Sequence, residues 1–298
     1  MDCTVTPLKT LMGFSVYLNV QLKFYNLPYE KKRLNMQDIL VKLKTENDLS
    51  RYALDEVKDE IAKFGSISPQ FVHTLDGLRR LSGNAAQYGV NATKTVPSVL
   101  KGKRIAFLGS SVTFGYGALG ESFVDYLAKR DGILAIKEAV SGTTLVDQNT
   151  FFPHDSYVAR LRSIDKAAKL DAFVLQLSTN DAKKAPNLLG KISCSDQYDV
   201  KTITGAIEYI LNYVRVCWHV PVFIYTNPRF DNELYAQMVN RLFELQTKWH
   251  FTIIDLYHNE EVPHGEASLY MADSIHPTRA GYQQKWLPIF EEALGRIC

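Results

Sequence analysis

No charge of one sign dominates this sequence. Its 298 residues carry 34 Lys and Arg against 32 Asp and Glu, a net charge of +2. With no basic field to hold a polyanion, nucleic acid is not an expected partner. The chain has no run of about 20 apolar residues, so no membrane span is expected. The N-terminus lacks the basic start, apolar stretch and small-residue cleavage site of a signal peptide. Cysteine is scarce: Cys3, Cys194, Cys217 and Cys298 are scattered, without the paired spacing of a zinc site or redox motif. They read as reduced thiols, which places the chain in the cytoplasm. No two histidines stand at helical ligand spacing with a nearby acid, so no metal is indicated. Repeats, low-complexity tracts and long charge runs are also missing. The densest charged patch, Glu30-Lys31-Lys32-Arg33, reads as a solvated turn.

What remains is an ordinary globular composition, 46% apolar and 22% charged, in a chain long enough to bury a substantial core. From Arg104 onward short apolar runs alternate with amphipathic stretches. The runs are Arg104–Leu108, Ile133–Val140, Ala172–Leu177, Pro221–Thr226 and Phe251–Leu256. Helix-period segments lie between them at Glu121–Lys129, Tyr157–Leu170, Thr202–Trp218, Asn232–Trp249 and Arg279–Leu294. In the fourth segment Leu234, Met238, Arg241, Leu242 and Leu245 recur at three and four, giving a helix one apolar face. Strands alternating with helices of this length imply parallel pairing through right-handed crossovers, hence an α/β fold: a three-layer α/β/α sandwich around five parallel strands.

The first hundred residues differ. Phe14, Val16, Leu18, Val20, Leu22 and Phe24 alternate with polar neighbours, the period of a long half-buried strand. Leu54, Val57, Ile61 and Phe64 follow at helical spacing, with Asn47 or Asp48 as N-cap, and a short helix is expected from Pro69 to Leu81. Ser82-Gly83-Asn84, Gly89 and Asn91 to Pro97 form a turn-rich stretch that reads as a linker or surface crossing. A boundary near residue 95 gives a small mixed N-terminal accessory subdomain, residues 1–95, and a main domain, residues 96–298.

Three polar clusters follow or flank the apolar runs. They are Gly109-Ser110-Ser111-Val112-Thr113, Ser178-Thr179-Asn180-Asp181 and Asp273-Ser274-Ile275-His276-Pro277, joined by the glycine turn Val140-Ser141-Gly142-Thr143-Thr144. In an open parallel sheet the loops after the strands converge on one edge, so Ser111, Gly142 and Asn180 are expected together. The loop before the last helix can bring Asp273 and His276 to the same edge. Ser111 needs a base to become a nucleophile, and His276, oriented by Asp273 three residues earlier, supplies one. The Ser111 and Gly142 backbone N–H groups and the Asn180 amide are candidate oxyanion donors. Each has a plainer reading: Ser111 as a helix N-cap, Gly142 as a turn glycine, Asn180 as an Asx-turn. Asp181 is a competing acid, expected instead to hold the asparagine turn. His73, His154, His219, His250, His258 and His264 are taken to lack an acidic partner at short spacing and to serve surface or packing roles. Phe152 and His154, and Tyr198 within Ala182–Val200, are candidate substrate-binding residues.

These residues resemble the four blocks of the SGNH, or GDSL-type, serine hydrolases over roughly residues 100–298. Gly109-Ser110-Ser111-Val112 is similar to the first block, Gly142 to the second, Ser178-Thr179-Asn180-Asp181 to the third and Asp273-Ser274-Ile275-His276-Pro277 to the last. Ser110 and Val112 depart from Gly-Asp-Ser-Leu, and Ser178 stands where glycine is usual. The resemblance implies a flavodoxin-like strand order and two-step ester hydrolysis through an acyl-enzyme on Ser111, with no cofactor. The resemblance leaves the substrate open, and the lack of a long apolar lid for an extended acyl chain points to a short acyl ester, acetyl foremost, of a carbohydrate or other small polar alcohol. An acyltransferase of the same fold and a non-catalytic binding protein are the alternatives.

Overall fold

The computed structural model describes residues 76–147, 156–183, 188–265 and 267–297. The chain divides into two compact units, Met1–Leu81 and Ser82–Cys298. Of the first, residues 76–80 are helical; the strand expected at Phe14–Phe24 and the helix expected over Leu54–Phe64 lie outside the described residues.

The second unit is built on five parallel strands: β1 Arg104–Gly109, β2 Leu134–Ala139, β3 Ala172–Gln176, β4 Val222–Tyr225 and β5 Thr252–Ile254. They lie in the order β2-β1-β3-β4-β5, which is flavodoxin-like. β1, β3 and β4 form its interior, and every residue of β3 is buried. The β1-to-β2 connection leaves on one side of β1 and the return to β3 comes in on the other, so the switch point lies between β1 and β3.

The helices are α1 Ser111–Phe114, α2 Phe123–Arg130, α3 Tyr157–Arg160, α4 Thr179–Lys183, α5 Ile203–Cys217 and α6 Glu233–Trp249. The last helix begins as α7 Arg279–Gly281, widens through a π-helical turn at Tyr282–Trp286 and continues as α8 Leu287–Leu294. α2 packs with the terminal helix on one face, where Phe123 stacks on Phe290 with ring centroids 3.9 Å apart. α3, α5 and α6 cover the other face. In α6 the expected apolar stripe is buried at Met238, Leu242 and Leu245. Arg241, on its flank, reaches the Gly190 carbonyl and the Thr204 hydroxyl.

Two differences from the sequence expectation have local causes. The segment Tyr157–Leu170 is helical only through Ser163, because Asp165 accepts the Ala167 N–H on its side chain and the Ala168 N–H on its carbonyl, forming a turn. The stretch from Ser82 to Pro97, read as a linker, belongs to the second unit as three 3-10 turns at Ser82–Asn84, Ala86–Tyr88 and Val90–Ala92, followed by an extended segment.

One buried ion pair fixes the end of α1. Lys137, from the edge strand β2, sends Nζ to Asp125 Oδ2 at 2.6 Å and to the Phe114 carbonyl at 2.7 Å. A cation at the C-terminal carbonyls of a helix is electrostatically favourable, and both side chains are nearly inaccessible. Breaking a buried pair by removing one partner leaves an uncompensated charge. Lys137→Met is therefore expected to lower stability by about 3 kcal/mol or more in urea denaturation; an unchanged midpoint would contradict this.

Candidate active site

β1 delivers the serine turn. Ser110 leaves the strand with non-helical dihedrals and Ser111 opens α1, so its side chain stands at the carboxyl edge of the sheet. The turn is held from below by Gln176, the last residue of β3. Its Oε1 accepts the Ser110 N–H and the Thr113 hydroxyl, each at 2.8 Å, and the Thr113 hydroxyl also meets Tyr225 OH at 2.7 Å.

The loop before α7 carries His276. Ser111 Oγ lies 2.8 Å from His276 Nε2, and His276 Nδ1 lies 2.8 Å from Asp273 Oδ2. Asp273 Oδ1 accepts the backbone N–H groups of Ile275 at 2.7 Å and His276 at 2.8 Å. The loop is pinned by an antiparallel bridge between Met271 and Pro277 and by Asn227, just beyond β4, whose side-chain amide donates to the Ile275 carbonyl at 3.1 Å. Tyr116 packs against the imidazole with ring centroids 5.3 Å apart. Burial pushes the Asp273 carboxyl up, but its bonds to the His276 ring and to the two backbone N–H groups outweigh burial and hold it at about 2. Ser111 is only 7% exposed.

The glycine turn and the asparagine turn are joined. Gly142 has φ 81°, a conformation that side chains other than glycine rarely adopt. Asn180 Nδ2 donates to the Thr143 carbonyl at 2.9 Å, which leaves a second N–H on the same nitrogen. Asp181 is buried and accepts the N–H groups of Leu145 and Val146 at 2.7 and 3.2 Å. It is thus committed to the chain that follows the glycine turn.

Arg160 couples this turn to the serine turn. Its guanidinium, nearly buried, donates to the Gly109 carbonyl at 2.8 Å, to the Thr143 hydroxyl at 2.9 Å and to Glu138 Oε1 at 3.0 Å. Neither Arg160 nor Asn227 was singled out from the sequence, because their partners are mostly backbone carbonyls remote in the chain. Gln176 did leave a signal: a polar residue ending a fully apolar strand run.

The structure places the remaining candidates as follows. Phe152 and His154 lie outside the described residues. Tyr198 is not brought to the site: its ring packs on Trp249 at 5.9 Å, at the far end of α6. The near end is Asn232, which caps α6 and donates to the Ala182 carbonyl in α4. The two ends of this 17-residue helix are about 25 Å apart. His258 corrects the reading that only His276 has an acid at short spacing. Its Nδ1 lies 2.7 Å from Asp255 Oδ2, and Asp255 Oδ1 accepts the Tyr257 and His258 N–H groups. This repeats the Asp273–His276 turn after β5, with no serine hydrogen-bonded to the His258 ring among the described residues. Among the described residues no three His, Cys, Asp or Glu side chains gather as metal ligands would, and no helix is long and apolar enough to cross a membrane.

A flavodoxin-ordered sheet with a serine, an imidazole and a carboxylate in line at its switch point defines a hydrolase of the SGNH type. The model of the GDSL-like Lipase/Acylhydrolase family matches residues 107–284, more than half of the chain, and the chain belongs to that family. Solved structures share the fold at low identity. A protein from Lactobacillus plantarum is 19% identical, with 65% of this chain and 97% of that one covered and a TM-score of 0.51. A protein from Bacteroides uniformis described as a GDSL-like lipase is 14% identical, covering 65% and 95%, with a TM-score of 0.50. The aryl esterase of M. smegmatis is 15% identical, covering 66% and 100%, with a TM-score of 0.50. None of the curated proteins compared with the chain matches it significantly.

The carboxyl of Asp273 is held below its ordinary range in the folded state. It therefore stabilises the native form above the unfolded value of about 3.9, and this contribution is lost as pH falls through about 2. Carbon-13 NMR of the aspartate carboxyls is expected to show one titrating near pH 2 in the wild type. In His276→Ala that resonance should move up toward the ordinary range. An ordinary midpoint in the wild type would contradict the hydrogen-bonded turn.

Proposed function

We propose that this protein is a serine esterase that hydrolyses short acyl esters, acetyl foremost, of a carbohydrate or other small polar alcohol. The observation that carries the reading is the line from Ser111 Oγ through His276 to Asp273, with both contacts at 2.8 Å. His276 Nε2 takes the hydroxyl proton as Ser111 Oγ bonds to the ester carbonyl carbon. Asp273 holds Nδ1 in its protonated tautomer and stabilises the imidazolium that forms. The tetrahedral intermediate collapses, the carbon–oxygen bond to the alcohol breaks, and the imidazolium returns its proton to the leaving oxygen. Water then adds to the acyl-enzyme with His276 as base, and the acid departs from Ser111.

The oxyanion is assigned to the backbone N–H groups of Ser111 and Gly142 and to the Asn180 amide. The shared hydrogen bonds of Thr143 to Asn180 and Arg160 support this assignment, because they make the two turns a preorganised unit. A small acyl group is favoured by the near-burial of Ser111.

The test is hydrolysis of p-nitrophenyl esters from acetate to decanoate by wild type and Ser111→Ala. Turnover is expected on the shortest chains only, with kcat/KM lower by about 1000-fold or more in the variant. Equal rates up to decanoate would overturn the short-acyl assignment, and full activity in Ser111→Ala would overturn the nucleophile. Transfer of the acyl group to an added alcohol in preference to water would make the protein an acyltransferase.

A further inference from the structure

Residues 82–93 lie upstream of the segment that matches the family, yet they touch both halves of the candidate active site. Asn84 is buried and makes two bonds of opposite sense. Its Nδ2 donates to the Gly117 carbonyl at 2.8 Å, and its Oδ1 accepts the Arg279 N–H at 2.9 Å. Gly117 follows Tyr116, which packs on the imidazole, and Arg279 follows the His276 loop by three residues. The approach is close on both sides. A Cβ at Gly117 would meet His276 Cβ at 2.7 Å and the Pro277 carbonyl at 2.6 Å. A Cβ at Gly83 would overlap the Leu269 carbonyl oxygen.

The same contact is reinforced around Asn84. Arg279 Nη1 donates to the Asn84 carbonyl at 3.1 Å, and Arg279 Nε lies 2.9 Å from Glu121 Oε2 in a buried ion pair. The Val90 N–H reaches Glu121 Oε2 at 3.0 Å. Gln283 donates to the Thr93 hydroxyl at 3.0 Å.

We infer that Asn84 is a positioning residue: it clamps the turn after α1 to the loop carrying His276, and so sets the Ser111–His276 alignment. The inference rests on the esterase reading above. Asn84 acts through its bonds to Gly117 and Arg279. Its loss is therefore expected to lower the rate of chemistry and to leave substrate binding nearly unchanged. A small misplacement of reacting groups is enough for a large rate effect.

The experiment compares the full chain with Asn84→Ala, Asn84→Asp and Thr95→Val. Two rates are followed on folded protein well below its melting temperature: inactivation of Ser111 by a fluorophosphonate, and p-nitrophenyl acetate hydrolysis. Asn84→Ala is expected to slow labelling and kcat by about tenfold or more, with KM within about twofold. Asn84→Asp keeps the acceptor for Arg279 and loses the donor to Gly117, so it is expected to retain an intermediate rate. Thr95→Val removes a hydrogen bond from the same stretch, Thr95 Oγ1 to the Lys129 carbonyl at 3.0 Å, and is expected to keep wild-type rates. Wild-type labelling in Asn84→Ala, or an equal loss in Thr95→Val, would overturn the clamp. If Asn84→Ala does not fold, a wild-type kcat in Asn84→Asp would overturn it. A wild type that is not labelled at all would contradict the Ser111 assignment itself, a distinct result.

Discussion

Ser111 and His276 stand 165 residues apart in the chain, and a single hydrogen bond of 2.8 Å brings them together. That bond is the constraint around which the rest is arranged. Ser111 closely follows an interior strand, and its position follows from the sheet. The imidazole comes from a loop with no strand of its own, so its position has to be built. Asp273 builds it locally by accepting two backbone N–H groups of its own turn on one oxygen, while the other oxygen holds the ring. Asn227 then ties that turn to the sheet edge, and the Met271–Pro277 bridge closes the loop on itself.

Around this line lies a belt of buried polar side chains whose partners are largely main-chain groups. Burying an amide or guanidinium without partners costs several kcal/mol, so each member of the belt tightly constrains the turns it bonds. Gln176 stops the serine turn from shifting relative to β3. Arg160 ties the end of β1 to the glycine turn, and Asn180 ties the glycine turn to α4. Three loops that converge because of sheet topology thereby become one preorganised surface, the form in which electrostatic stabilisation of a transition state is most effective.

Much of this was legible in the sequence, and the reason differs by feature. The runs Arg104–Leu108 and Ala172–Leu177 are apolar because interior parallel strands are buried on both faces, so the strands and their parallel pairing followed from simple patterning, while the strand order followed from the family resemblance. Ser111, Asn180 and His276 stood out as short polar clusters directly after or between such runs. Arg160, Asn227 and Asn84 did not, because a side chain that bonds distant carbonyls leaves no spacing pattern. Asp255 and His258 show the limit of spacing from the other direction. They form the same turn as Asp273 and His276, with the ring contact at 2.7 Å, after β5. An acid three residues before a histidine therefore specifies a local turn, and only the tertiary contact with Ser111 distinguishes the two.

The central claim, that Ser111 becomes acylated, is tested most directly by rapid-quench mass spectrometry during turnover of a short acyl ester. The account predicts the acyl mass on the peptide containing Ser111, appearing within the first turnover and decaying when substrate is exhausted. Continued turnover with an unmodified Ser111 peptide, or with the acyl group on another side chain, would contradict it.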